Sequence, residues 1–462
     1  MTFVFVAILL VLVLLGVPLF VIVGTATALC FTLFTGDHQH LVDLLPIMQK
    51  MEHLLTQQPF LAIPLFMAAG AIMTAGGIAQ RLIEVAKAGL GFLPGGLAIA
   101  AVVACMFFAT ISGSSPVTLI AVGSIMFPAL IESKYPENFS LGLVTTAGSL
   151  GCLLPPALSI IIYYISITGT SAAVSPEDMF LAGAGPAILI VFLLAVYSGW
   201  VGLRKVPGSR QAFDKKRFRA AVREGMWALL LPVIVLGGIY GGFYTPSEAG
   251  GVAMVYALFV TVVIYRELNV QKLMRTLYEA AALMGSLILI ILLTFGLNDF
   301  LAEIGIQEKI MNLVTRLDLG PFGFLMLVNV ILIVLGALMD SISATLIFAP
   351  MLAPVAWELY RIDPIHFGIV FVVNMEIGYL MPPVATNLFV SAAVFKKPFG
   401  QVCRAVVPTL AITILALIAV MYVPTVSKAA VNLKHGKPMY EPFPWDGHAQ
   451  RLAEEKAGTA VD

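Results

Sequence analysis

The sequence predicts an all-α, polytopic membrane protein whose two halves are inverted repeats, each with one re-entrant helical hairpin and one broken helix. Three observations carry that reading. The chain of 462 residues is 60% hydrophobic and 11% charged, with mean hydropathy +0.98, against about 25% charged residues in a soluble domain. Its basic residues gather on alternate connections, and its second half repeats the first at a fixed offset. Apolar runs of roughly 20 residues recur, each long enough to span as a helix. The alternating strand pattern of a β-barrel is absent. Zero net charge excludes the basic footprint of a nucleic-acid binder. Cys30, Cys105, Cys152 and Cys403 lie far apart in or beside apolar runs, and read as small hydrophobes rather than disulfides or a metal site.

Taken in order, residues 3–22 lack a basic leader and a small-residue cleavage site, so they read as a retained helix. Residues 37–58 set Leu and Met at helical spacing among Asp and His, the pattern of an amphipathic helix lying in the interface. The stretch 203–224 holds eight Lys and Arg with two acids, and smaller basic clusters are Arg81/Lys87, Arg266/Lys272/Arg275 and Lys396/Lys397/Arg404. The positive-inside bias places these in the cytoplasm. With Lys134 they comprise 17 of the 26 basic residues, whereas Lys50, Lys309, Arg316 and Arg361 fall on acidic connections assigned to the exterior.

Parity leaves the first broken run as either two full spans or a re-entrant hairpin, and the break in its middle favours the hairpin. Residues 139–168 run outward, because 180–203 returns to the basic loop, so "ESKYPEN" at 132–138 is cytoplasmic. The uncharged run from Ala88 to Ile131 thus enters and leaves on one side, and "SGSSP" at 112–116 breaks it in the middle. The segment 319–356 does the same from the exterior and is broken by "MDSIS" at 339–343.

A shift of 227 residues aligns the halves without a gap. "SSPVTLI" (114–120) falls on "SISATLI" (341–347), and "GCLLPPA" (151–157) on "GYLMPPV" (378–384). Opposed entry sides and paired breaks are the signature of an inverted-repeat secondary transporter.

Broken helices expose N–H groups at one new end and C=O groups at the other, tolerable in hydrocarbon only around an enclosed cavity. The N-terminal ends suit a carboxylate; carbonyl ends and hydroxyls suit Na⁺. The candidate binding residues are Ser112, Gly113, Ser114, Ser115 and Thr118 in the first tip, and Asp340, Ser341, Ser343 and Thr345 in the second. The broken helices contribute Gly148, Ser149, Gly151, Pro155 and Pro156, and Glu376, Gly378, Pro382, Pro383, Thr386 and Asn387. Sodium is expected near Ser115, Gly151, Thr345 and Gly378. Asp340 and Glu376 lie deep in spans, where an acid costs about 2.5–3.5 kcal/mol on insertion scales. The alternative reading they support is a cation/proton antiporter or proton-coupled carrier. An intramembrane hydrolase using Ser114 or Ser115 would need a base in reach, and all six histidines lie outside the predicted spans. The chain therefore does not read as an enzyme.

"FFATISGSSPVTLIAVGSIMFPAL" (107–130), "GGFYTPSEAGGVAMVYAL" (241–258), "GALMDSISATLIFAPMLAPVA" (336–356) and "VVNMEIGYLMPPVATNLFV" (372–390) resemble the large membrane subunit of TRAP (tripartite ATP-independent periplasmic) transporters. The resemblance covers nearly all of residues 1–424. It implies Na⁺-coupled uptake of organic acids, usually carboxylates such as C4-dicarboxylates, in a bacterial inner membrane. It also implies no cofactor beyond that coupling ion, and two partners: a small membrane subunit and a periplasmic substrate-binding protein. The mechanism it implies is an elevator motion of the hairpins and broken helices. Two departures stand out: Met381 where the family commonly has Thr, and Ala385 where it commonly has Gly.

The expected organisation is 1–87, N-terminal scaffold; 88–170, first transport half; 171–300, connecting and scaffold helices around the basic loop; 301–396, second transport half; 397–424, the final transmembrane helix; and 425–462, a disordered tail of mixed charge and no periodicity.

Overall fold

The computed structural model describes residues 19–34, 58–150, 153–154, 156–206, 212–317, 319–339, 341–382 and 385–445, with Ile8, Val11, Leu12 and Val17. Of the segments expected at 3–22 and 37–58, nearly all of 3–18 and all of 37–57 lie outside the described residues. Every regular element among the described residues is helical. Eight of the helices are long and apolar enough to cross a membrane.

The first half contains α1 (Leu19–Phe34), α2 (Gln58–Ala75), α3 (Ile78–Leu90), α4 (Gly96–Ser112), α5 (Ser115–Glu132), α6 (Glu137–Ser149), α7 (Leu158–Ile167) and α8 (Pro176–Lys205). Next comes α9 (Lys215–Tyr240), the helix between the halves. The second half contains α10 (Pro246–Ile264), α11 (Val270–Glu303), α12 (Ile306–Arg316), α13 (Pro321–Leu338), α14 (Ser341–Tyr360), α15 (Pro364–Gly378), α16 (Thr386–Phe395) and α17 (Phe399–Tyr422), followed by α18 (Thr425–Lys434). Shifted by 227 residues, α1 to α8 overlay α10 to α17 in order. The contacts repeat as well: α2 packs on α10 as α11 packs on α1, and α6 packs on α17 as α15 packs on α8.

Local chemistry starts these helices where the pattern requires. Ser175 accepts from the Asp178 amide, and Thr245 and Glu248 form a reciprocal capping box. Asp363 accepts from the amides of Ile365 and His366 at the start of α15. Between α2 and α3 the chain bends by 71° at Gly76 and Gly77, the latter at φ +63°. The hairpins are α4–α5, turned at Gly113, and α13–α14. The broken helices are α6–α7 and α15–α16. Within α5, residues Leu119–Gly123 form a π-turn with no counterpart in α14, which is continuous α-helix. The main core is an apolar cluster that runs through both halves, and a smaller one joins Cys30 and Phe31 of α1 to Phe300 of α11.

Ion pairs join residues that the charge pattern assigns to the same side. Arg81 pairs with Glu267 at 2.6 Å, Arg217 with Glu84 at 3.6 Å and Lys397 with Glu137 at 2.5 Å, all assigned to the cytoplasm. Lys428 pairs with Asp363, and Lys434 with Asp178 at 3.0 Å; the two acids are assigned to the exterior, where span parity, against the lysines' own charge, also puts the tail.

The tail departs from expectation. Residues 425–445, read from sequence as disordered, form α18 and a returning segment packed on α8 and α15. Mixed charge suggested solvation, but Lys428 and Lys434 each meet an acid of the main body. The remaining positions, 446–462, lie outside the described residues.

Candidate functional site

The first tip is built by its glycine. Gly113 sits at φ +58°, and a Cβ there would lie 2.7 Å from the Pro156 carbonyl oxygen. That approach lets the Leu158 amide donate to the Gly113 carbonyl at 3.3 Å, tying the tip to the unwound part of α6–α7. Thr118 Oγ1 bonds Ser112 Oγ at 2.7 Å and donates to the Ser114 carbonyl at 2.9 Å. In the second tip Thr345 Oγ1 donates to the Ser341 carbonyl at 2.7 Å, the same bond in the other repeat. Ser115 and Ser343 are buried. Asn387 Nδ2 donates to Ser115 Oγ at 2.5 Å, so the first tip also touches the second broken helix.

Ser149 and Glu376 are repeat equivalents and meet: Ser149 Oγ lies 2.9 Å from Glu376 Oε1 and 2.7 Å from the Thr146 carbonyl. A residue in contact with its own copy marks the pseudo-two-fold axis between the halves. Gly148 and Gly378 serve close packing. A Cβ on Gly148 would lie 2.8 Å from the Leu119 Cβ, and one on Gly378 would lie 2.6 Å from the Gly336 Cα.

A cavity of about 420 Å³ opens where these elements converge. Ser112, Gly113, Ser114, Ser115, Pro156 and Thr386 line it, as do Ile342 at the start of the second hairpin's return limb and Tyr379 just past α15. Its other wall is α2 (Ile63, Phe66, Met67, Gly70, Ala71) and α11 (Ala280, Leu283, Ser286, Leu287), which are repeat equivalents. Among the described residues no Lys, Arg, Asp or Glu lines it. Instead, first-turn residues of four helices face the cavity: Ser115 of α5, Leu158 and Ser159 of α7, Ile342 of α14 and Thr386 of α16. Helix N-termini present unpaired N–H groups and partial positive charge.

Of the residues named from sequence, Thr118, Gly148, Ser149, Ser341, Ser343, Thr345, Glu376, Gly378 and Asn387 stand behind the cavity lining, and Pro382 is exposed away from it. Gly151, Pro155, Asp340 and Pro383 lie outside the described residues. Three buried oxygens in this group have no hydrogen-bond partner: Ser341 Oγ, Glu376 Oε2 and Asn387 Oδ1. Among the described residues no group of three His, Cys, Asp or Glu could hold a metal, so a cation here would rely on hydroxyl, amide and carbonyl oxygens. Ser159, Ser286 and Tyr379 were missed from sequence. Ser286, beside Gly285 in an apolar span, was a usable signal; the α2 wall is ordinary apolar helix and gave none.

A family model described as tripartite ATP-independent periplasmic transporter, DctM component, matches residues 6–426. The C4-dicarboxylate TRAP transporter large permease protein DctM of Pseudomonas aeruginosa is 42% identical over 410 residues, covering 88% of this chain and 93% of that protein. The ectoine TRAP transporter large permease protein TeaC of Halomonas elongata is 31% identical over 428 residues, covering 92% and 98%. Among solved structures, the YdaH transporter of Alcanivorax borkumensis shares the fold, with TM-score 0.54 at 13% identity over 91% of this chain and 98% of that one.

Proposed function

This chain belongs to the DctM component family of the tripartite ATP-independent periplasmic transporters, a multi-pass permease of the bacterial inner membrane rather than an enzyme, and from that premise we propose that it carries an organic acid inward, coupled to sodium. The observation that carries the reading is the cavity between the repeats, faced by four helix starts and lined by no charged side chain among the described residues. A carboxylate is held there by backbone N–H groups and by the hydroxyls of Ser112, Ser114, Ser115 and Thr386, in a site walled from lipid. The name of the Pseudomonas aeruginosa relative favours a C4-dicarboxylate. The family's tripartite description supports a small membrane subunit and a periplasmic binding protein as the other two components, with the binding protein selecting the cargo.

Sodium enters this reading as cargo. Ser341 Oγ and Asn387 Oδ1 are buried oxygens with no partner, and Ser115, Thr345, Gly151 and Gly378 lie on the same four breaks. Neutral oxygen ligands suit Na⁺. Three sodium ions with a C4-dicarboxylate dianion, or two with a monoanion, move one net charge, which contributes about 2.3 kcal/mol per 100 mV, or roughly 50-fold accumulation, since about 1.4 kcal/mol is tenfold. The hairpins and broken helices shift together against α2 and α11 in an elevator motion, so the cavity opens to each side in turn.

The test is protection of the cavity wall. In a cysteine-free background, a cysteine at Ser159 is to be labelled with a small thiol reagent in vesicles. Sodium together with the acid, delivered by its binding protein, should slow labelling. Labelling that is indifferent to both would remove the cavity from the transport path.

A further inference from the structure

The two repeats close their outer junctions differently, and residues beyond the family match account for the difference. On the side assigned to the cytoplasm, the starts of α6 and α17 are joined directly. Lys397 Nζ lies 2.5 Å from Glu137 Oε1, and Gln401 Nε2 donates to Glu137 Oε1 at 3.1 Å and to Asn138 Oδ1 at 3.2 Å. The Lys397 contact, with Gln401, holds the Glu137 carboxyl below its ordinary range. The repeat maps α6 onto α15 and α17 onto α8. The counterpart junction sets the start of α8 against α15, where a Cβ on Gly368 would lie 2.8 Å from the Met179 Cε, and the starts of the two helices carry Asp178 and Asp363. Two carboxylates cannot close a junction by pairing with each other.

The C-terminal segment places cations on both. Lys428 Nζ pairs with the Asp363 carboxylate, and Lys428 is only 6% exposed. Lys434 Nζ lies 3.0 Å from Asp178 Oδ1, and His435 Nε2 lies 2.9 Å from Asp178 Oδ2. The segment is seated closely enough to fix these ends. Ser427 Oγ bonds His366 Nδ1 at 2.8 Å, and a Cβ on Gly185 of α8 would lie 1.9 Å from the Val426 carbonyl oxygen. Its returning part is tied back by Asn432 Nδ2 to Glu441 Oε2 at 2.7 Å and by the Glu441 amide to Thr425 Oγ1 at 3.1 Å. Phe443 is buried edge-on against Tyr422, whose ring stacks on Phe322 at the base of the second hairpin. The family match ends at residue 426, before either lysine.

We propose that residues 425–445 are an ionic strap that supplies the cations missing from the second repeat, joining the outer ends of α8, α15 and α17 into one body. The inference rests on the reading above only where it places the broken helix α15 in the moving half; α8 and α17, which pack on α15 and α6, would move with it. α15 leads from Asp363 at its outer end to the break beside the cavity. A loose outer end would therefore be felt at the helix starts that hold the cargo.

The experiment compares the full chain, a chain ending at Pro424, and that truncation carrying Asp178→Asn and Asp363→Asn. Asparagine still caps a helix, so the double substitution removes the like charge and leaves the start of α15 formed. Thermal unfolding of the purified proteins and uptake in vesicles are both measured. The truncation should unfold at lower temperature and transport several-fold more slowly, and the two asparagines should restore most of both losses. Raised salt should also stabilise the truncation, by screening the two carboxylates. A truncation as stable as the full chain would overturn the proposal, as would a destabilised truncation that neither the asparagines nor salt improve. If the truncated chain fails to accumulate, Lys428→Met with Lys434→Met in the full chain, with and without the asparagines, puts the same question. Restored stability with no uptake in any protein, the full chain included, would support the strap and count against the transport reading instead.

Discussion

Ser149 Oγ sits 2.9 Å from Glu376 Oε1, and the two residues are each other's counterparts, 227 positions apart. The pair is buried and joins the two broken helices at the pseudo-two-fold axis. Ser149→Ala leaves Oε1 without its partner and should destabilise the protein by about 1–3 kcal/mol, the usual cost of an orphaned buried group. The double variant Ser149→Ala with Glu376→Leu should be less destabilised than the two single losses added together, because it removes both polar partners. Thermal unfolding of the four proteins measures this. Additive losses would show that the contact carries no coupling.

Gly113 gives a sharper backbone prediction. A left-handed residue with a Cβ costs about 1–2 kcal/mol, and here the Cβ would also press on the Pro156 carbonyl at 2.7 Å. Gly113→Ala should insert in the membrane in near-normal amount yet lose most of its uptake, since the first tip can no longer seat against the unwound helix. Wild-type uptake by Gly113→Ala would mean that the tip is not set by this approach.

Ser341 and Thr345 separate binding from folding. Ser341 Oγ is buried without a hydrogen-bond partner, so Ser341→Ala breaks no bond in the protein and should leave the unfolding temperature almost unchanged. It should still raise the sodium concentration needed for half-maximal uptake. Thr345→Ala loses the bond to the Ser341 carbonyl and should lower both stability, by about 1 kcal/mol, and sodium affinity. Unfolding curves beside sodium titrations decide this; a Ser341→Ala protein with a wild-type sodium curve would assign that hydroxyl to packing.

Sidedness can be read with single cysteines. A cysteine at Ser133 should react with an impermeant reagent only from the cytoplasm, and one at Ser175 only from outside. Exterior reaction at 133 would make the run through α4 and α5 a net single crossing and end the hairpin assignment.

Much of this fold was legible because membrane proteins write it in coarse symbols. The 227-residue shift gave pairs of elements whose observed limits agree closely, as α4 and α5 do with α13 and α14. The site was half legible. Ser112 to Ser115, Pro156 and Thr386 reach the cavity because polar residues at a helix break have nowhere else to be satisfied. Glu376 and Gly378 carry the same signal yet stand behind the lining, one bonded to Ser149 and the other packed on Gly336. Sequence cannot separate those uses, since both demand a small or polar residue at a break. The tail was misread for a related reason: Lys428 and Lys434 look solvated until the fold brings Asp363 and Asp178 beside them.

The most direct test of the central claim is the initial rate of organic-acid uptake against sodium concentration, at fixed membrane potential. It is to be measured in vesicles holding this chain alone, and in vesicles holding it with the small membrane subunit and the binding protein. The account predicts negligible uptake by the chain alone, and saturable, sodium-dependent uptake when all three components are present. Full uptake by the chain alone, or uptake by the complete system that ignores sodium, would contradict it.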